Sequence, residues 1–82
     1  MKYLVKIYQC ENPNTDVVDR LFHDDMILTV KELFQYIMEG LVESNAIYDM
    51  EITEITEDGY EFFNIYTIKI SDNNIEDIKL KS

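Results

Sequence analysis

The sequence predicts an α+β fold, a small antiparallel sheet packed against one amphipathic helix in the order β-β-α-β-β, with a short last strand after them. Three observations carry this. Val30, Leu33, Phe34, Ile37, Met38, Leu41 and Val42 recur at i, i+3, i+4, i+7, i+8, i+11 and i+12, an unbroken helical stripe. Segments on either side alternate apolar and polar residues and are rich in Ile, Tyr, Val and Thr. Clusters of Asn, Asp, Pro and Gly separate them. The 82 residues fit one domain, 1–82, with no room for a second core.

Residues 2–10 alternate as a strand with one buried face. Glu11-Asn12-Pro13-Asn14-Thr15-Asp16 then gathers turn formers, and Pro13 cannot donate to a ladder. Residues 16–22 fit a short helical face or the second arm of a hairpin, and are read as strand. The helix over 30–43 opens with Thr29 and Glu32, the T-x-x-E spacing of a capping box, and stops at Ser44-Asn45. Gly40 inside it implies either close packing or simple tolerance. Residues 47–56 and 60–71 form two strands joined through Glu57-Asp58-Gly59, whose D-G dipeptide is a strong hairpin signal. In the second arm Tyr60, Phe62, Tyr66, Ile68 and Ile70 share one face while Phe63 and Ile65 take the other. That strand is therefore covered on both sides or carries an apolar patch. After Ser71-Asp72-Asn73-Asn74, Ile78 and Leu80 alternate with Lys79 and Lys81, a short strand with a basic, edge-protecting face.

Composition narrows the function without naming it. A hydrophobic fraction of 46% is too high for a disordered acidic tail. No apolar run reaches the roughly 18 residues that span a bilayer, and the first residues lack a signal peptide's apolar region. The single Cys10 has no internal disulfide partner. These features predict a soluble, cytoplasmic protein. With 17 acids against 7 bases the net charge is −10, which argues against direct contact with nucleic acid or anionic membrane.

Catalytic signatures are weak. Nucleophilic catalysis needs an activated Ser, Cys or Thr beside a base, and Cys10 and His23 lie on separate segments. Two isolated glycines make no phosphate loop. Zinc needs more nitrogen and sulfur ligands than one His and one Cys supply. His23-Asp24-Asp25 and Asp72-Asn73-Asn74 with Glu76 and Asp77 read as solvated turns rather than metal loops. The chain is read as a non-enzyme with no cofactor.

The informative feature is the distribution of charge. Residues 32–68 hold nine acids (Glu32, Glu39, Glu43, Asp49, Glu51, Glu54, Glu57, Asp58, Glu61) and no Lys or Arg. A solvated helix ordinarily interleaves both signs, but Glu32, Glu39 and Glu43 share the polar face with Gln35 and Tyr36, and no lysine lies between them. Such a surface fits a groove lined by Lys and Arg, the kind that tracks nucleic-acid phosphates. Tyr36, Tyr48 and Tyr60, with Phe62 or Phe63, add aromatic anchors between the charges.

In size, charge and want of a catalytic motif the chain resembles the small acidic inhibitors encoded by bacteriophages and mobile elements. That group includes anti-CRISPR proteins, DNA-mimic restriction inhibitors and uracil-DNA glycosylase inhibitors. The base-free stretch 32–68 and the Glu57-Asp58-Gly59 hairpin carry the resemblance, which is one of composition and transfers neither fold nor residue roles. It implies an inhibitor that occupies the basic nucleic-acid channel of a partner protein, with a CRISPR effector nuclease as the leading partner. In that role Glu39, Glu43, Asp49, Glu51, Glu54, Glu57, Asp58 and Glu61 would replace phosphates, and Tyr36 and Tyr60 would supply apolar anchors. The alternative is a regulatory protein-interaction module that binds a protein partner or self-associates through the Phe62, Phe63 and Ile65 region.

Overall fold

The computed structural model describes residues 1–81, and for residues 60–63 the backbone alone. Five strands, β1 (Lys2–Cys10), β2 (Leu21–Leu28), β3 (Ile47–Thr56), β4 (Gly59–Ser71) and β5 (Asn74–Leu80), form one sheet in the order β2-β1-β3-β4-β5. Every neighbouring pair is antiparallel. One helical segment, beginning with α1 (Val30–Tyr36), connects β2 to β3 across a sheet face. This is the expected small α+β fold, and β3 is its central strand.

Local chemistry sets most of the boundaries. The Thr29 hydroxyl accepts from the Glu32 amide at 3.2 Å, while the Glu32 carboxylate accepts from the Thr29 amide at 2.9 Å, completing the capping box. Asn45, at φ 50°, ends the helical segment in the left-handed region. Between β3 and β4 the turn is centred on Glu57-Asp58, and Gly59 follows at φ 121°, which only glycine adopts freely. Asp72 and Asn73, at φ 53° and 59°, supply the two left-handed positions of a two-residue hairpin between β4 and β5.

Two expectations need correction. Of residues 16–22 only Leu21 and Phe22 are strand: Val17–Asp19 is a 3-10 turn, and β2 begins at Leu21 and continues through His23-Asp24-Asp25 to Leu28. The Asp19 amide bonds to the Asp16 carbonyl at 2.9 Å and leaves Val17 and Val18 in solvent. As an edge strand, β2 tolerates three polar residues in a row, which erases the alternation that would mark it. Nor is the stretch 30–43 a uniform α-helix. After Tyr36 it widens into a π turn over Ile37–Leu41, closed by the Val42 amide on the Ile37 carbonyl, and ends as a 3-10 turn over Val42–Ser44. Along this segment Ile37, Leu41 and Val42 are buried and Leu33 is half-buried, but Val30, Phe34 and Met38 remain about half exposed.

Under the helix lie Val5 and Ile7 of β1, Tyr48 and Met50 of β3, and Ile68 and Ile70 of β4. On the other face Cys10, Asp49, Ile65 and Thr67 are buried too. Residues 65–68 of β4 are thus covered on both sides. The second covering layer is polar: Arg20, which closes the 11–20 segment, and Lys81, which reaches back over the sheet.

Candidate functional site

The eight described acids of the base-free stretch divide into two populations. Glu32, Glu39 and Glu43 stand exposed on the outer side of the helical segment, with Gln35 between them donating to Glu39 at 3.4 Å. Tyr36 is half-buried on the same segment, beside Asp24 of the β2 edge. Burial first, and then the Asp24 carboxylate, push its phenol above the ordinary tyrosine pKa. Asp24, exposed and in register with Ile7, extends this acidic surface from the helix onto the sheet edge, whereas Asp25 is exposed in register with Lys6 on the other face. Glu57 and Asp58 are exposed at the hairpin tip, and Glu54 is half-exposed opposite Tyr3. The roles expected of Tyr60 and Glu61, and the orientation of Phe62 and Phe63, lie outside the described residues.

Asp49 and Glu51 form the other population, on the face away from the helix. Asp49 is fully buried in the central strand. Its Oδ1 accepts from the Thr67 hydroxyl at 2.7 Å, and its Oδ2 accepts from Lys81 Nζ at 2.7 Å and Arg20 Nη1 at 3.3 Å. Arg20 Nη2 bonds to Glu51 at 2.5 Å, and its guanidinium lies 4.0 Å above the Tyr8 ring centre. Lys81 Nζ also donates to the Thr15 carbonyl at 2.7 Å. Two carboxylates thus meet two cations, and the cluster is locally neutral. Burial alone would raise the Asp49 pKa, but hydrogen bonds from Lys81, Thr67 and Cys10 and the Lys81 charge outweigh it and hold it below the usual value. The same burial, with Asp49 alongside, pushes the Cys10 thiol up.

The expected phosphate-replacing set is accordingly not one wall. Asp49 and Glu51 are engaged inside the fold, where their charge is cancelled, whereas Glu39, Glu43, Glu57 and Asp58 face solvent. Ile65 is buried at 8% exposure and offers no self-association surface. Lys81, read as an edge-protecting residue, turns inward to Asp49.

Cys10 and His23 serve opposite faces of the sheet. Cys10 neighbours Asp49, while the His23 ring packs edge-on against Tyr48 in the helix-covered core, with centroids 5.3 Å apart. Among the described residues no three His, Cys, Asp or Glu side chains converge as a metal site. A hollow of about 370 Å³ on the helix-free face includes Lys69, Lys79 and Lys81 in its lining, and each meets a carboxylate: Glu76, Asp77 and Asp49 respectively. No helix among the described residues is long and apolar enough to cross a membrane.

The missed residues are the cations of the buried cluster. Arg20 and Lys81 lie 29 and 32 positions from Asp49, a separation no local pattern reports. Compared with protein-family models, with curated proteins and with solved structures, the chain matches none.

Proposed function

We propose that the chain is a non-enzymatic acidic protein that occupies the basic nucleic-acid groove of a partner protein, in the manner of a DNA mimic. A CRISPR effector nuclease is the partner to test first. The observation that carries this reading is the run 32–68 without Lys or Arg, from which Glu32, Glu39, Glu43, Glu57 and Asp58 project into solvent. Asp24 reinforces it from the neighbouring edge. The set replacing phosphates is then Glu39, Glu43, Glu54, Glu57 and Asp58, with Asp49 and Glu51 serving the fold. Tyr36, already half-covered, contributes its exposed edge between the charges.

Such a surface acts through long-range attraction. Concentrated negative potential steers a basic cleft toward the protein and accelerates encounter, an effect that fades as salt screens the field. Bound there, the carboxylates would satisfy the cations that otherwise hold phosphates and so exclude nucleic acid by competition. The test is a competition assay between the protein and a DNA substrate for the purified nuclease, across salt. The reading predicts inhibition that rising DNA concentration relieves and that weakens from roughly 50 mM to roughly 500 mM salt. Salt-independent binding, or inhibition that DNA cannot relieve, would contradict it.

A further inference from the structure

The two outer strands of the sheet differ in charge. Strand β2 carries Asp24 and Asp25, whereas the two acids of β5, Glu76 and Asp77, are each paired with a lysine, Lys69 and Lys79 respectively. The β5 edge is therefore locally neutral in a chain of net charge −10. It is also apolar on the helix side: Ile78 and Leu80, in register with the core residues Ile68 and Tyr66, remain 48% and 61% exposed. On the helical segment, Phe34 and Met38 are 59% and 57% exposed.

We infer that β5 pairs with β5 of a second copy, antiparallel about a two-fold axis through Ile78, joining two five-stranded sheets into one. The occupant follows from self-complementarity. In this register Ile78 meets Ile78 of the other copy, Asp77 stands opposite Lys79, and Lys79 opposite Asp77. Two opposite-charge cross-strand pairs flank an apolar pair. A lone edge lysine opposes strand addition, but an aspartate two positions before it supplies the countercharge that an antiparallel copy needs. Within one chain Asp77 and Lys79 already sit 3.4 Å apart on one side of the strand.

The backbone is correctly presented. The Lys81 amide bonds to the Ile65 carbonyl of β4 at 2.6 Å. Antiparallel alternation then turns the amides of Lys79 and Asp77 toward β4 and those of Ile78 and Leu80 outward, where Ile78 can exchange both its bonds with its symmetry mate. Pairing would also cover Ile78 and Leu80. Because β5 lies at the opposite edge from β2, the inference does not depend on the acidic surface binding a partner.

The experiment is light scattering coupled to size-exclusion chromatography, with circular dichroism to confirm folding. The Lys79 side chain is 76% exposed, so reversing its charge leaves the core alone. Wild type is expected to run as a dimer. Lys79→Glu places two acids opposite each other and Asp77→Lys places two lysines opposite each other, so each variant alone is expected to be monomeric. Mixed in equal amounts, the two variants have complementary edges and should recover the dimer mass as a heterodimer. A monomeric wild type at its highest soluble concentration would overturn the inference. So would single variants that stay dimeric, or a mixture of monomeric variants that forms no heterodimer.

Discussion

Lys81 Nζ and Asp49 Oδ2 are 2.7 Å apart, joining the central strand to a residue 32 positions later. The contact closes a five-strand sheet on the face its helix does not cover. A small sheet with one helix has only one apolar face to bury, and the other is ordinarily left to solvent. Here it is sealed by Arg20 and Lys81, whose aliphatic stems lie over the sheet while their charges meet Asp49 and Glu51.

Removing the central carboxylate should be costly. Asp49→Ala leaves Lys81 and part of Arg20 without a countercharge in a buried site, and we expect it to lower stability by about 3–5 kcal/mol. Urea denaturation of the variant and wild type measures this. A loss within experimental error would mean that the cluster relaxes to water at no cost.

The same carboxylate gives stability a direction with pH. Its folded pKa is held down, so its contribution is fully present above the ordinary aspartate value of about 3.9 and disappears as pH falls through the lower folded value. Wild type should lose stability over that acidic interval more steeply than Asp49→Asn, which carries no titrating group there. Thermal melts across the interval separate the two slopes.

Cys10 should be a poor nucleophile despite being the chain's one thiol. It is buried, and burial together with Asp49 raises its pKa, so little thiolate exists near neutrality. Labelling by a thiol reagent at pH 8 should run at least about tenfold slower than in urea-unfolded protein. Equal rates would place the sulfur at the surface.

What the sequence revealed follows the range of the forces involved. The capping box at Thr29 and Glu32, the stop at Asn45 and the turn before Gly59 are decided by residues within a few positions of one another, and all three were legible. The π turn at Ile37–Leu41 was not, because an added residue per turn is chosen by how Leu41 and Val42 fit the sheet. Strand β2 was misplaced because an edge strand needs no alternation. The fate of Asp49 was hidden for another reason: only the strand order shows that β3 is central, and only there must an acid be paired.

Gly40 illustrates tolerance rather than need. A Cβ built there meets nothing nearer than Tyr36 Cε2 at 4.0 Å, an ordinary contact, and the backbone is not left-handed. Gly40→Ala should therefore stabilise the protein by about 0.5–1 kcal/mol by restricting the unfolded chain. A rise in melting temperature is the expected reading, and a fall would mean that the π turn needs glycine's freedom.

The division of the acids into exposed and internally paired groups yields the sharpest test of the proposed function. Glu39 and Glu43 have no cation among their described contacts, whereas Glu51 is held by Arg20. Neutralising the first pair with Glu39→Gln and Glu43→Gln should leave the fold intact and weaken association with a basic nucleic-acid-binding partner by about tenfold at low salt. Glu51→Gln should do the reverse, lowering stability while leaving affinity close to wild type once folding is confirmed. At high salt the affinity gap between wild type and the double variant should narrow, because screening removes from both what the substitutions removed from one. If both sets of substitutions change affinity alike, the acids act only through total charge, and no defined surface carries the binding.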